Sequence, residues 1–238
     1  MSTERAFANR AAYDLWAQTY PPVPHNPLMR AEQRVMEELW PKSPLHGKRL
    51  VALDLACGTG RYSELLERNG AGRVVSMDFS EGMLQRLNGQ SRVRADMMRL
   101  PFACGVFDIV VSGLAVGHAP ELDAWAAEIS RVLAPGGTAL YSDFHPAAAA
   151  AGMTRSFTDR DNCQHTLIHR CYEVADHRGA AERARLEIEA IREVRVGFEL
   201  TEGFVGAEAF YRRWHGLPVV LAVRARKISE ATEQHADA

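Results

Sequence analysis

One short segment constrains the fold more than any other: the glycine-rich sequence LDLACGTG at residues 53–60. It follows an apolar run typical of a buried strand and precedes a segment of helical period that carries Leu65 and Leu66. Gly58 and Gly60 allow a ligand to approach the main chain, because glycine has no Cβ atom. In open α/β sheets, ligands lie beyond the carboxyl ends of the strands. The segment therefore predicts a ligand site between a first strand and a first helix.

Five segments around this loop have the pattern of strands in a parallel sheet. Short aliphatic runs alternate with stretches of helical period, which is typical of βαβ units. The predicted strands are residues 49–54, 73–78, 92–96, 107–112 and 138–142. The pattern of residues 122–133 predicts a helix, ended by a turn at the sequence APGG. We expect an α/β fold of the Rossmann-like type with helices on both faces of the sheet.

The pattern is less regular outside this core. Asn26 and Pro27 predict the N-cap and first residue of an N-terminal helix. Beyond the fifth strand we predict an extended stretch at 162–174, a charged helix at 181–193, and strands at 196–205 and 217–224. We expect a single domain, divided into an N-terminal cap (1–47), a core (48–145), an acceptor-pocket or lid region (146–195), terminal strands (196–226) and a frayed tail (227–238).

The composition excludes several classes of protein. The chain has 238 residues, of which 47% are hydrophobic and 24% charged, and this fits one globular domain. A net charge of -2 gives no general attraction to polyanions, so we expect no nucleic-acid partner. The first residues lack the apolar run of a signal peptide, and no stretch approaches the ~20 apolar residues that span a membrane. We therefore expect a cytoplasmic protein without a membrane partner, monomeric or homodimeric.

An acidic residue at the end of the second predicted strand supports an adenosine-type ligand. Asp78 stands where a carboxylate can accept hydrogen bonds from both ribose hydroxyls. The third glycine of the dinucleotide pattern GxGxxG would fall at position 63, which is Ser63. A pyrophosphate cradle is therefore less well supported, and a nicotinamide-dependent dehydrogenase is the alternative from a different enzyme class.

Five segments in order resemble the class I S-adenosylmethionine-dependent methyltransferases, in particular those of quinone and natural-product biosynthesis. They are LDLACGTG, SMDFSEGML, ADMMRLPF, FDIVVS and EISRVLAPGGTALYSDF, and the upstream segment YDLWAQTY is also similar to the family. The resemblance implies a seven-stranded, mostly parallel sheet with a small lid, and S-adenosylmethionine as the cofactor. It also implies methyl transfer to an oxygen, nitrogen or carbon atom of a small molecule, such as a quinone-like compound or secondary metabolite.

The resemblance also implies which residues contact the cofactor. They are Tyr13, Tyr20, Asp54, Ala56, Gly58, Gly60, Asp78, Phe79, Met83, Asp96, Met97, Ser112 and Leu114. The residues of the glycine loop would contact the methionine end, Asp78 the ribose, and the residues after the second and third strands the adenine. Other roles stay open, because Asp54 can simply fix the glycine loop through hydrogen bonds. Phe79 and Met83 can be plain core residues, and the two tyrosines surface packing.

Two histidines are candidates for a catalytic base, because an imidazole can take a proton from a hydroxyl or an acidic carbon. His118 follows the fourth predicted strand and His145 the fifth. We favour His145, since the chain beyond it builds the variable region of such folds. The alternative for His145 is a loop histidine that bonds the backbone before Pro146, and His118 is expected to cap the next helix.

Cysteine and histidine alternate between Cys163 and Cys171, with His165 and His169 between them. In a strand these four side chains share one face, and two thiols with two imidazoles suit zinc. Ligands along one strand spread over up to ~27 Å and cannot converge on one ion, so we expect no metal. We predict instead a face that lines the acceptor pocket, whose further candidate walls are Phe157, Leu167, Ile168, Phe210, Tyr211 and Trp214.

Two more alternatives concern function. A methyltransferase acting on RNA or protein would share the core, but no basic stripe interleaved with aromatic residues is visible. A methyltransferase-like protein that uses the cofactor for other chemistry also stays open, because a fold alone does not fix a function.

Overall fold

A seven-stranded sheet forms the centre of the computed structural model, which describes residues 2–41, 50–87, 91–200 and 203–229. The strands in chain order are β1 (Val51–Leu55), β2 (Arg73–Asp78), β3 (Ser91–Arg94), β4 (Phe107–Ser112), β5 (Leu133–Phe144), β6 (Ser156–Thr158), β7 (Gln164–Thr166), β8 (Leu186–Arg195) and β9 (Pro218–Lys227). The sheet order is β3-β2-β1-β4-β5-β9-β8, and β6 and β7 form a separate hairpin. Strands β1 to β5 run parallel, whereas β9 is antiparallel to both of its neighbours.

Helices cover both faces of this sheet. They are α1 (Ser2–Trp16), α2 (Pro27–Glu38), α3 (Arg61–Arg68), α4 (Glu81–Leu84), α5 (Leu122–Val132), α6 (Pro146–Ala150), α7 (Val174–Arg183) and α8 (Ala207–Trp214). Alternate residues of the parallel strands point to opposite sides, so that Leu53 and Val110 pack with α5 and α7 on one face. Ala52 and Val111 pack with α2 and α3 on the other face. The α/β fold with a seven-stranded, mostly parallel sheet is thus confirmed.

The chain order creates a crevice at the centre of the sheet. From β1 the chain moves outward to β2 and β3, and it then returns to place β4 on the other side of β1. The loops that leave the carboxyl ends of β1 and β4 therefore diverge, which is the topological switch point where α/β sheets bind ligands.

Several core predictions are confirmed. β2 and β4 have the predicted bounds, and β1 and β3 differ from theirs by a few residues, with residue 49 outside the described residues. The N-cap is also confirmed, since Asn26 Oδ1 accepts a hydrogen bond from Met29 N at 2.9 Å and Pro27 begins α2. The predicted turn at APGG is wrong in detail, because β5 begins at Leu133 and passes through Gly136 with φ at +74°.

The structure corrects the carboxyl-terminal third. The charged helix predicted at 181–193 is wrong, because α7 ends at Arg183 and residues 186–195 form the edge strand β8. Its charged residues face solvent and β9: Glu189 pairs with Arg224 at 2.8 Å and with Arg226 at 3.1 Å. Residues 198–200 form a 3-10 helix instead of a strand, and of the extended stretch only Gln164–Thr166 is a strand.

The described residues contain no helix that is both long and apolar enough to cross a membrane. The predictions for residues 42–47 of the N-terminal cap, 48–49 of the core, 201–202 of the strand predicted at 196–205 and 230–238 of the tail lie outside the described residues.

Candidate active site

A cavity of about 340 Å³ lies at the switch point, beyond the carboxyl ends of β1, β2 and β4. Its walls come from residues 56–59 after β1, 77–80 at the end of β2 and just beyond it, 95–97 after β3 and 113–115 after β4. Helix α1 covers it with Tyr13, Trp16 and the nearby Tyr20. A largely apolar cavity of this size, with a few convergent polar groups, is typical of small-molecule sites.

The two glycines of the loop after β1 serve different purposes. Gly58 has φ at +55°, and a Cβ atom there would meet nothing within 4 Å, so it would project into open space. Gly58 lines the cavity and thus leaves room for a ligand beside the main chain. Gly60 does not line it, since it precedes α3 and packs on Leu87, with which a Cβ atom would collide. Ala56 also adopts a left-handed conformation, with φ at +56°.

Asp78 connects the ends of β1 and β2. Its Oδ2 accepts a hydrogen bond from Gly58 N at 2.8 Å, and its Oδ1 accepts one from Ser80 N at 2.8 Å. Burial raises the pKa of the Asp78 carboxyl above its ordinary value. Each oxygen retains a lone pair for another donor, and the residue lines the cavity. This carboxyl can therefore accept further hydrogen bonds from a ligand in the cavity.

Asp54 lies beneath the loop and outside the cavity lining. Ser63 Oγ donates to its Oδ2 at 2.6 Å, and Ser63 lies 2.7 Å from the Ser76 hydroxyl. Burial raises the pKa of Asp54 to about 7. These contacts support the alternative in which Asp54 fixes the glycine loop. Ser112 is likewise fully buried and does not line the cavity.

The residues after β2 and β3 form the far wall of the cavity. Phe79, Met83, Asp96 and Met97 line it, as the resemblance implies. Asp96 Oδ1 accepts a hydrogen bond from Met98 N at 2.9 Å, which holds its carboxylate at the wall. Met83 is almost completely buried, so it is a core residue and a wall residue together.

Helix α1 connects the two sides of the cavity. On one side Asp14 Oδ1 accepts hydrogen bonds from Ser80 Oγ at 2.6 Å and Gly82 N at 3.0 Å, both in α4 or its cap. On the other side Trp16 stacks on Phe157 of β6, with ring centroids 4.8 Å apart. These two hydrogen bonds and the ring stacking hold α1 over the cavity.

His118 lies inside the cavity in a fixed network. Its Nδ1 faces the Ile168 carbonyl at 3.1 Å, and its Nε2 lies 2.8 Å from the Tyr13 hydroxyl and 3.5 Å from Arg155 Nη1. Because Arg155 can only donate, Nε2 accepts, and Nδ1 of the neutral ring then donates to the Ile168 carbonyl. Asn9 Nδ2 lies 3.2 Å from the same Nδ1 and donates to the same carbonyl at 2.8 Å. Burial and the Arg155 charge lower the pKa of His118 to about 3. His118 does not cap the following helix, which begins at Leu122 without a side-chain cap.

His145 lies away from the cavity, so the structure does not support it as a base. Its Nδ1 accepts a hydrogen bond from Ala147 N at 3.1 Å, and its Nε2 lies 2.7 Å from Glu193 of β8. It is the N-cap of α6, with Pro146 as the first helical residue. The alternative of a backbone-bonded histidine before a proline therefore describes it.

A buried network on α2 escaped the sequence analysis. Glu32 is completely buried and accepts hydrogen bonds from Arg61 at 2.6 Å, Tyr62 at 2.6 Å and Ser142 at 2.8 Å. Ser142 in turn accepts a hydrogen bond from Leu114 N at 2.9 Å. The network joins α2, α3 and β5 at the floor of the cavity. In the sequence Glu32 looks like any polar residue of an amphipathic helix, so only the fold identifies it.

The cysteine and histidine segment does not form the predicted face. None of residues 163–171 lines the cavity, and among the other proposed walls only Phe210 does so. His165 pairs with Asp159 at 2.7 Å and stacks on Phe157, whereas Cys163 is exposed. Within the described ranges no group of three or more acidic, histidine or cysteine side chains could hold a metal ion.

Comparison with known proteins is consistent with this geometry. Residues 53–141 match the family described as "Methyltransferase domain". The chain is 36% identical over 146 residues to a malonyl-(acyl-carrier protein) O-methyltransferase of Methylovorus, covering 56% of this chain and 48% of that protein. It is 41% identical over 109 residues to a demethylmenaquinone methyltransferase of Clavibacter sepedonicus, covering 43% of each. The chain thus spans less than half the length of these relatives.

Solved structures show the same fold. An S-adenosylmethionine-dependent methyltransferase from Mesorhizobium loti has a TM-score of 0.65 at 23% identity, covering 82% of this chain and 97% of that one. The cyclase SpnF has a TM-score of 0.67 at 18% identity, covering 92% and 95%. At these identities the likeness shows the fold alone.

Sheet order and cavity define an α/β protein with a cavity at its switch point, the place where sheets of this kind bind their ligands. The match to the methyltransferase family makes the class specific for the segment that it covers: residues 53–141 correspond to an S-adenosylmethionine-dependent methyltransferase domain.

S-adenosylmethionine is the cofactor of that class, and the residues present fit it. Gly58 leaves the space that a Cβ atom would fill, and the Thr59 hydroxyl in the same loop has no hydrogen-bond partner among the described residues. Asp78 would hold the ribose, and Phe79 and Met97 would border the adenine.

Proposed function

We propose that the protein transfers the methyl group of S-adenosylmethionine to a small-molecule acceptor. The observation that supports this most strongly is the cavity itself, in which the glycine loop and Asp78 are continuous with a covered space beside Leu114 and His118. The cofactor supplies an electrophilic methyl group. The chain's own work is to bind and align the acceptor beside it and to exclude water.

The acceptor half of the cavity supports a compact, partly aromatic or aliphatic acceptor. Tyr13, Trp16 and Tyr20 of the N-terminal segment form its roof, and Met153 and Phe210 its far edge. A covered cavity of about 340 Å³ accommodates a small molecule better than a nucleic-acid strand or a folded protein. Quinone-like compounds and secondary metabolites fit this description, and one relative methylates demethylmenaquinone by its name.

His118 acts in this proposal as a positioning residue rather than as a base. Its Nε2 lone pair is occupied by the Tyr13 hydroxyl, and its pKa of about 3 makes it a poor acceptor of a proton. Methyl transfer therefore depends on alignment.

A second candidate is a cofactor-binding protein that performs other chemistry. The cyclase SpnF, which is similar in fold, favours retaining this alternative. The two candidates differ in the fate of the cofactor, because only methyl transfer consumes it.

The test uses S-adenosylmethionine labelled with a trideuteromethyl group and a panel of naphthols, catechols, hydroquinones and carboxylic acids. We expect S-adenosylhomocysteine to form together with an equal amount of one labelled product, detected by mass spectrometry. The Asp78→Asn variant should lose this activity, whereas Asp123→Asn, an exposed aspartate on α5, should retain it. Cofactor that binds but stays intact with every acceptor would support the second candidate instead.

A further inference from the structure

One arginine side chain, that of Arg155, lies in the part of the cavity that the proposed function assigns to the acceptor. Arg155 lines the cavity just before β6, and its Nη1 donates to the Leu114 carbonyl at 2.8 Å. Leu114 follows β4 and borders the covered space in which the proposed function places the acceptor. Arg155 also lies 3.5 Å from His118 Nε2, and its charge lowers the pKa of the Tyr13 hydroxyl against the larger effect of burial.

Within the described part of the chain, no carboxylate forms an ion pair with Arg155. The charge of Arg155 lowers the pKa of the buried Asp143, against the larger effect of burial, but Asp143 does not line the cavity. Its Oδ1 accepts hydrogen bonds from Gly117 N and Phe144 N, and its Oδ2 has no hydrogen-bond partner among the described residues. By contrast Arg61, another cavity arginine, is paired with Glu32 at 2.6 Å.

The carboxylates that line the cavity belong to its other half. They are Asp78 and Asp96, at the ends of β2 and β3. In its own half of the cavity, the lining residues around Arg155 include neutral groups: the Tyr13 hydroxyl, the uncharged ring of His118 and the apolar side chains of Leu114 and Met153. An unpaired guanidinium in a partly apolar site favours a bound anion, because such a site weakens competition from water.

We propose that Arg155 binds an anionic group of the acceptor, so that the acceptor is an acid that reacts as its carboxylate, phenolate or enolate. This inference rests on the proposed function and names the substrate class of the same site. An oxygen or carbon lone pair of the anion forms a bond to the methyl carbon, and the bond from that carbon to sulfur breaks. The electron pair of the broken bond stays on sulfur, so the sulfonium and the anion both become neutral.

With this charge balance, the transfer needs no side chain that takes up a proton. An acceptor that arrives deprotonated releases no proton during the transfer, and neither His118 nor Tyr13 has to remove one. The remaining hydrogen-bond donors of Arg155 can hold the anion, while the bond to Leu114 fixes the guanidinium in place.

The experiment measures the binding of matched acids and amides to the protein saturated with S-adenosylhomocysteine. The probes are 2-naphthoate and octanoate, each paired with its uncharged amide, and binding is measured by titration calorimetry. We expect at least one carboxylate to bind about tenfold or more tightly than its amide, as for a hydrogen bond to a charged partner.

Three variants separate the proposal from a general loss of structure. Arg155→Gln should remove the preference for the acid, and Arg155→Lys should restore a part of it. Arg160→Gln replaces a nearby arginine that contacts the Gln18 carbonyl outside the cavity and should leave the preference unchanged. Unchanged affinity for S-adenosylhomocysteine and an unchanged melting temperature show that Arg155→Gln is folded. If Arg155→Gln does not fold, the test is whether Arg155→Lys has a weaker preference for the acid than the wild-type protein.

The proposal is overturned if the amides bind as well as the acids, if Arg155→Gln keeps the preference, or if neither carboxylate binds at millimolar concentration. Failure of the proposed function would appear differently, either as an absence of S-adenosylhomocysteine binding to the wild-type protein or as bound S-adenosylmethionine that stays intact with every acceptor.

Discussion

At the scale of single residues, Asp54 makes the stability of the protein depend on pH. Its carboxyl is buried beneath the loop with one described donor, the Ser63 hydroxyl, and burial raises its pKa from 3.8 to about 7. Between these two values the folded state holds a proton that the unfolded state has released. The free energy of unfolding therefore falls as the pH rises through this window. Below the window Asp54 is protonated in both states and does not lower the stability.

We predict that Asp54→Asn flattens the pH profile of stability. The asparagine side chain stays neutral at every pH. As the pH rises from about 4 to about 8, the free energy of unfolding of the variant should therefore increase relative to that of the wild-type protein, by up to a few kcal/mol. Urea unfolding at several pH values measures this difference. The exposed change Asp123→Asn on α5 should leave the profile nearly unchanged, and profiles that stay parallel for Asp54→Asn would contradict the assignment.

Single residues also show where sequence analysis succeeds. The position of Asp78 at the cavity could be predicted, because a residue at the carboxyl end of a central strand lies at the switch point of the sheet. Glu32 and Arg155 were missed because their roles depend on partners far along the chain, Ser142 and Leu114 respectively. His145 was readable as an N-cap from the proline that follows it, but its position after a strand suggested catalysis.

At the scale of elements, α1 depends on its tether to α4. Asp14 accepts hydrogen bonds from Ser80, the N-cap of α4, and from Gly82 in its first turn. Ser80 N in turn donates to Asp78, so that Ser80 links helix α1 to the cavity-lining carboxyl of Asp78. Gly82 permits this close approach, because a Cβ atom there would lie 3.1 Å from Ala17 Cβ.

We predict that Asp14→Ala loosens the cover and weakens cofactor binding. Loss of the two hydrogen bonds should raise the dissociation constant of S-adenosylhomocysteine about tenfold and speed tryptic cleavage at Arg10. Calorimetry and timed proteolysis measure the two effects. The exposed change Gln18→Ala, just beyond α1, serves as the control, and an Asp14→Ala protein that binds and resists trypsin like wild type would show that the tether is dispensable.

The position of β8 at the edge of the sheet explains why its sequence was taken for a helix. β2 and β4 are covered on both faces, so their apolar runs were recognisable. β8 is the outermost strand, and its sequence LEIEAIREVR mixes alternating apolar residues with charges at helical spacing. Its pairing with β9, including the contacts of Glu189 to two arginines, decides between the two patterns and cannot be read from β8 alone.

At the scale of the whole molecule, the order of the strands brings distant segments to one cavity. The loops after β1, β2, β3 and β4 form one wall, and the N-terminal helix with residues 153–156 forms the other. The first wall follows from the parallel sheet and could be predicted. The second depends on tertiary contacts such as the stacking of Trp16 on Phe157, which no local pattern indicates.

The most direct test of the account is calorimetric titration of the protein with S-adenosylhomocysteine and, separately, with NAD. The account predicts micromolar binding of S-adenosylhomocysteine and no binding of NAD. Asp78→Asn should weaken the former about tenfold or more, because a side-chain amide cannot accept at both of its atoms, while Asp123→Asn should bind like wild type. Binding of NAD alone, or equal binding by Asp78→Asn, would contradict the assignment of this cavity to the methyl donor.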